Sequence, residues 1–231
     1  MHTRELYKAA STHLSSRAFP SSILSPTPSL VASPSTYPVL IPGVDLLNHK
    51  RGQPVSWVVT CQDTTPHTIA LVAHPQPDTG ATDALVEVFN NYGPKPNDEL
   101  ILGYGFAIAD NPDDTITLQI GGAAQKWVVG RHARGADGLW CDVRDRVATG
   151  QNAYAFEDVL DTAGVLSDMV EAKLDGMRTV EDVRWCDGVR PAVRVMLEHY
   201  VMGEHASLSL AAHLTCTRTT GDSRVHPGVC T

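Results

Sequence analysis

The segment from Ser15 to Pro38 places the strongest limit on how this 231-residue chain can fold. Thirteen of its 24 residues are serine or proline. Proline fixes φ and has no backbone N–H, so this composition excludes a continuous helix or a central β-strand there. We predict a flexible, partly extended loop over 15–38 whose ends are held by the segments on either side of it.

Regular elements are predicted on both sides of this loop. Apolar residues at helical intervals predict a short helix over 3–14 and another over 159–174, and Pro191 is typical of a helix start. Turn residues enclose β-branched or alternating runs, which predict strands at 55–60, 67–72, 85–89 and 115–120. A further helix should begin at Asn97, with that side chain as its cap. The first half should therefore be β-rich and the second half helical, with the change near residue 130.

Charge and hydropathy exclude several classes of protein. Lysine and arginine number 18 against 26 acidic residues, and the formal net charge is -8. This balance argues against direct nucleic-acid binding and against anionic membranes, and it fits a protein that recognises a basic partner. No apolar run approaches the roughly 18 residues of a membrane-spanning helix, and the N-terminus has no hydrophobic signal core. We expect an intracellular protein of the cytoplasm or nucleus; nothing indicates its oligomeric state.

The number and spacing of the five cysteines fit an intracellular location. They are odd in number, scattered and without a C-x-x-C pair. Free thiols in a reducing compartment are therefore predicted, rather than a disulfide framework or a zinc site.

Two clusters of unusual residues point to chemistry. The first runs from Leu40 to His49 and ends in Asp-Leu-Leu-Asn-His; the second runs from Glu87 to Leu100 and continues to Phe106. Taken alone, an Asn-His pair or an Asn-Asn-Tyr-Gly run is typical of an ordinary turn. Their occurrence in this order, some 40 residues apart, favours a shared site.

The pair resembles the second half of a SET domain of the kind found in RuBisCO large-subunit lysine methyltransferases and their fungal relatives. In that family a D-x-x-N-H segment threads beside a Y-G or Y-D segment, followed by N-x-E-L and Y-G-F. The matching residues here are Asp45 to His49, Tyr92-Gly93, Asn97 to Leu100 and Tyr104 to Phe106. Ser16-Arg17-Ala18-Phe19 also resembles the S-R-A-F that ends the preceding helix of the family.

The resemblance implies an α+β fold. It would consist of the C-terminal part of a β-rich SET domain, β-clip-like with knot-like threading, followed by an α-helical domain of the substrate-binding type. We expect the partial SET domain over 1–125, including the loop at 15–38, the helical domain over 126–214 and a loose tail over 215–231.

The resemblance also implies methyl transfer from S-adenosyl-L-methionine to a lysine of a non-histone protein, without a metal. Tyr92 would be the catalytic residue, and Asn48 and His49 would bind the methyl donor. The remaining positions would bind substrate: Arg17, Asp45 and Tyr104.

Other roles for the substrate-side residues stay open at this point. Tyr104 could pack in the core, Arg17 could lie at the surface or in a salt bridge, and Asp45 could bond to its own turn. The acceptor could also be histidine, as among some relatives.

The family's donor pocket includes a glycine-containing strand and turn that nothing before Asp45 matches. We therefore expect an N-terminally truncated SET domain that binds the donor weakly. The alternative function is an inactive remnant that binds a protein partner. An unrelated β-rich binding module would require both motifs to be accidental.

Overall fold

The computed structural model describes residues 3–60, 68–74, 87–148, 156–184 and 188–219, with side chains in the last helix described as far as Leu208. The described elements, in chain order, are α1 (Thr3–Arg17), β1 (Phe19–Pro20), β2 (Pro38–Val39), β3 (Val55–Thr60), β4 (Thr68–Ala73), α2 (Asn97–Tyr104), β5 (Thr115–Gln119), β6 (Lys126–Gly130), α3 (Ala136–Val147), α4 (Phe156–Asp175), α5 (Val180–Arg184) and α6 (Pro191–Thr219). They divide into two compact units, Met1–Pro94 and Lys95–Thr231. The domain limits predicted from the sequence stay predictions. In the structure α6 continues past the predicted start of the tail at 215.

In the first unit, the serine- and proline-rich segment forms a loop tied at both ends. Phe19 pairs with Val39 in the antiparallel β1–β2 ladder, and the Ser21 N–H donates to the Tyr37 carbonyl at 2.9 Å. Inside the loop, a short 3-10 turn buries Ile23 completely. The prediction of a loop with held ends is confirmed, except that α1 extends through Arg17.

A hairpin of β3 and β4 forms the larger sheet of this unit. The strands are antiparallel, with Val55 opposite Ala73 and Thr60 opposite Thr68. Side chains alternate along β3, so that Trp57 is more buried than its neighbours, and its ring meets Phe19 edge-on at 5.2 Å. The strand predicted at 55–60 is confirmed. The one predicted at 67–72 is confirmed from Thr68 onward, because His67 lies outside the described residues.

The strand predicted at 85–89 is wrong for residues 87–89, which form no strand; Leu85 and Val86 lie outside the described residues. A run of β-branched and aromatic side chains indicates a strand only where a neighbouring strand is available to pair with it. In the structure the pairing begins at Asn90, which forms an isolated parallel bridge with His49.

The second unit has a continuous apolar core between the β5–β6 hairpin and helices α3, α4 and α6. Its members are buried aliphatic side chains: Ile116, Leu118, Val129, Ala133, Leu139, Val143, Leu166, Val170 and Leu208. The predicted strand at 115–120 and the predicted helices over 159–174 and from Pro191 are confirmed, because each carries its own apolar periodicity.

The start of α2 differs from the prediction. Asn97 is the first helical residue rather than the cap, and its fully buried side chain bonds to the N–H and the carbonyl of Ile108. The cap comes instead from Asp114, whose Oδ1 accepts the Asn97 N–H at 2.8 Å and whose Oδ2 accepts Asn97 Nδ2 at 3.2 Å. A carboxylate at a helix N-terminus satisfies an otherwise unpaired N–H and complements the helix dipole.

The prediction of free thiols is wrong for one cysteine. Cys141, on α3, is disulfide-bonded. This removes the cysteine argument for a reducing compartment. No helix within the described ranges has the length and apolar character needed to cross a bilayer.

Candidate active site

The first motif cluster and residues 87–94 of the second lie side by side in the first unit. The Asn90 N–H donates to the Asn48 carbonyl at 2.8 Å, and the Lys50 N–H donates to the Asn90 carbonyl at 2.9 Å. Asn90 is 2% exposed, and its side-chain oxygen accepts the N–H of Asn91. Residues some 40 positions apart are therefore locked together by backbone bonds, as the shared-site prediction requires.

Tyr92 is fixed by three contacts with the first cluster. Its phenol donates to the Leu47 carbonyl at 2.7 Å, and its backbone N–H donates to His49 Nδ1 at 3.0 Å. The two rings stack, with centroids 5.1 Å apart and planes 28° apart. Since a backbone N–H can only donate, Nδ1 is the acceptor nitrogen, and a neutral His49 carries its proton on Nε2.

Arg17 connects the parts of the site. Its Nη1 donates to the carbonyls of Asp45 at 3.1 Å and Leu47 at 3.2 Å and to the Tyr92 phenol oxygen at 3.3 Å. Its Nη2 donates to Asn48 Oδ1 at 3.1 Å. Arg17 reaches this position because it ends α1 immediately before the loop that β1 and β2 close. The half-buried guanidinium therefore organises the turn at 45–48 and the phenol together.

Asn48 has an exposed side chain with partners at both ends of its amide. Oδ1 accepts from Arg17, and Nδ2 donates to Glu87 Oε1 at 2.8 Å. Glu87 lies within the second cluster, but nothing in its local sequence indicates this role, because its partner is 39 residues away.

Asp45 faces its own turn. Its Oδ1 accepts the Gly43 N–H at 3.1 Å, and its backbone N–H donates to the Ile41 carbonyl at 2.9 Å. These contacts match the turn alternative considered for this residue. Its role in substrate binding stays a prediction.

Tyr104 belongs to the second unit, at the end of α2. Its ring lies 6.3 Å from that of Phe106, and Lys95 Nζ is 5.8 Å from its centroid. Gly105 ends the helix in the left-handed conformation, with φ of 78°, and its N–H donates to Leu100 and Ile101. Glycine adopts this conformation without strain, which explains a glycine after the tyrosine.

Asp114, in the second unit, has a strongly perturbed pKa. Burial raises the pKa of Asp114 to about 6, against the opposing effects of its bonds to Asn97 and the charge of Arg131. Among the described residues, no three histidine, cysteine or acidic side chains are grouped as a metal site would require.

Comparison with solved structures identifies the fold. The SET domain of LSMT bound to lysine and AdoHcy aligns with a TM-score of 0.66 at 17% identity, covering 97% of this chain and 58% of that one. Rubisco LSMT bound to AdoMet aligns with a TM-score of 0.61 at 18% identity, covering 96% of this chain and 57% of that one. The chain has a SET-domain fold.

Sequence comparison relates this SET domain to fungal lysine methyltransferases. The chain is 41% identical over 118 residues to ribosomal lysine N-methyltransferase set10 of Schizosaccharomyces pombe, covering 51% of this chain and 19% of that protein. It is 34% identical over 109 residues to ribosomal lysine N-methyltransferase 1 of Saccharomyces cerevisiae, covering 46% and 15%. No protein-family model matches the chain. The chain thus spans less than a fifth of these two relatives.

The comparisons confirm the resemblance drawn from the two motifs and the expected mixture of helices with small sheets. The individual roles of Tyr92, Asn48, His49, Arg17, Asp45 and Tyr104 stay predictions.

Proposed function

We propose that this SET-domain chain is an S-adenosylmethionine-dependent protein-lysine N-methyltransferase with Tyr92 as its catalytic residue. The observation that carries the proposal is the phenol of Tyr92, which is bonded to Leu47 and Arg17 while its backbone bonds to His49. The fold neighbours bound to AdoMet, AdoHcy or lysine and the fungal relatives named lysine methyltransferases support it.

The hydrogen-bonding groups of the site fit S-adenosylmethionine. Its amino-acid part carries a carboxylate and an ammonium, which need a hydrogen-bond donor and an acceptor. The exposed amide of Asn48 offers both, because its nitrogen has a second hydrogen and its oxygen a second lone pair. His49, bonded to Tyr92 through Nδ1, keeps its imidazole in one orientation beside the donor site.

When bound, the donor supplies an electrophilic methyl carbon on a positively charged sulfur. The lysine amine must arrive neutral, because its nitrogen lone pair would form the new C–N bond while the C–S electron pair returns to sulfur. Positive charge would move from the sulfur to the amine nitrogen during this transfer, and the methylated ammonium would afterwards lose a proton to solvent. Since the Tyr92 phenol donates its proton to Leu47, it can present its oxygen to this charge, and no reorganisation is needed.

Arg17, Asp45 and Tyr104 complete the proposal on the substrate side. The Arg17 guanidinium lies 3.3 Å from the phenol oxygen. A lysine bound to that oxygen would therefore approach a fixed positive charge, which favours the neutral amine that the reaction needs. Asp45 shapes the same turn. The assignment of Tyr104 to the lysine channel is supported by the resemblance of its Tyr-Gly-Phe motif to that of the family.

The substrate we propose is a non-histone protein of the ribosome, and the reaction is placed inside the cell. The support is the name of the two fungal relatives and the net charge of -8, which suits a basic target. The proposal includes knot-like threading of the two motif segments and substrate binding by the helical part of the chain.

The test is methyl transfer by the full chain from tritium-labelled S-adenosylmethionine to purified ribosomal proteins and, separately, to histones. We expect labelled lysine in a ribosomal protein, and Tyr92→Phe should lower turnover by about 10²-fold or more. The matched control is Tyr37→Phe, an exposed tyrosine of the same unit, which should keep wild-type turnover.

Absence of transfer by folded wild-type chain would reject the enzymatic proposal in favour of a protein-binding role. Labelling of histones alone would reject the substrate class. Unchanged turnover in Tyr92→Phe would reject the catalytic residue.

A further inference from the structure

Glu87 is an acidic residue to which the proposed reaction gives no role. It is exposed, and its Oε1 accepts Asn48 Nδ2 at 2.8 Å. On the opposite side, Asn48 Oδ1 accepts Arg17 Nη2 at 3.1 Å. The amide of Asn48 therefore lies between a carboxylate and a guanidinium.

This arrangement permits only one orientation of the amide. An ionised carboxylate can only accept hydrogen bonds, and a guanidinium can only donate them. Rotating the amide by 180° would place its NH₂ against Arg17 and its oxygen against Glu87, which replaces two attractive contacts by two repulsive ones. Glu87 and Arg17 thus select the same orientation from opposite ends.

We propose that Glu87 is a positioning residue that fixes the Asn48 amide for the methyl donor. The inference rests on the proposed function, in which Asn48 contacts the amino-acid part of S-adenosylmethionine. Each end of the amide uses one hydrogen-bonding position within the protein. One N–H and one lone pair of known direction are left for a zwitterionic ligand. Such preorganisation reduces the ordering that binding would otherwise require.

The first experiment needs no ligand. In the ¹⁵N-labelled full chain, the side-chain NH₂ resonances of Asn48 are assigned by their loss in Asn48→Ala, and their exchange with water is measured. Glu87→Ala should speed this exchange about tenfold, because a charge-assisted bond to the NH₂ is lost. Glu87→Gln should stay near wild type, because its amide oxygen can still accept Asn48 Nδ2.

The control is Glu5→Ala, which removes an exposed carboxylate from α1 of the same unit and should leave the exchange unchanged. Unchanged exchange in Glu87→Ala would overturn the inference. Equally fast exchange in Glu87→Gln and Glu87→Ala would also overturn it, because the negative charge would then act without the hydrogen bond.

The second experiment is calorimetric titration of S-adenosylhomocysteine into the same variants. Glu87→Ala should raise Kd about tenfold, and Glu87→Gln should stay within about threefold of wild type. An unchanged Kd in Glu87→Ala would overturn the inference. If the wild-type chain binds no ligand, the proposed donor site fails, whereas the amide exchange still decides whether Glu87 positions Asn48.

Discussion

Replacing Asp114 by asparagine should remove a pH dependence from the stability of the second unit. Asp114 is 3% exposed, and burial raises its pKa to about 6 from an ordinary value of 3.8. In the unfolded chain the carboxyl group returns to that ordinary value. Between pH 4 and pH 6 the folded state therefore binds more protons at this position than the unfolded state.

The sign and size of the effect follow from proton linkage. Because the pKa of Asp114 is raised in the folded state, this residue contributes its full stabilisation to the fold below pH 4. The contribution is lost as the pH rises through 6. A difference of about 2 pKa units corresponds to up to about 3 kcal/mol in the free energy of unfolding. Asp114→Asn does not titrate, so its stability relative to wild type should rise by that amount between pH 4 and pH 7.

The assay is urea unfolding followed by far-UV circular dichroism, which reports mainly α2–α6 of the second unit. Wild type and Asp114→Asn are compared at half-unit steps from pH 4 to pH 7. Asp161→Asn, an exposed change on α4, serves as the control and should follow the wild-type slope. Parallel curves for wild type and Asp114→Asn over the whole range would refute the reasoning.

The helical glycines supply the remaining predictions. A Cβ at Gly203 would lie 1.9 Å from Asp114 Oδ2, so Gly203→Ala should lower the free energy of unfolding by about 1–3 kcal/mol. Gly164→Ala on α4 has nothing within 4 Å of its new Cβ and should instead raise stability by up to about 1 kcal/mol, which makes it the matched control. A Cβ at Gly138 would lie 2.3 Å from the Trp127 ring, so Gly138→Ala should also destabilise and shift the tryptophan fluorescence. Urea unfolding checks all three, and a Gly203→Ala variant as stable as Gly164→Ala would contradict the proposed contact with Asp114.

Local patterns in the sequence predicted most of the regular elements. The strands at 55–60 and 115–119 and the helix from Pro191 appear where their periodicity places them, because each pattern arises from the burial of one face of that element. Where the prediction fails, the cause is not local. Val88 and Phe89 have strand-forming side chains but pair with no strand among the described residues.

The cap of α2 is a second feature that the local sequence did not predict correctly. Asn97 has the residue type of a helix cap, yet Asp114, 17 residues further along, occupies that position in space. The asparagine is instead buried between Ile108 and Asp114. A residue's propensity describes which hydrogen bonds its side chain can form within its own segment. Tertiary packing decides which of several possible capping side chains lies at the N-terminus of the helix.

The sequence by itself predicted that Asp45 to His49 and Tyr92 lie together in a SET-type fold, because each motif is a contiguous run of residues and the two occur in a fixed order. Only the tertiary structure decided how that site is assembled. Arg17 donates hydrogen bonds both to the 45–48 turn and to the phenol of Tyr92. Glu87 accepts a hydrogen bond from the other end of the Asn48 amide. These hydrogen bonds link residues 28 to 75 positions apart, so their geometry depends on the path of the folded chain and leaves no local sequence pattern.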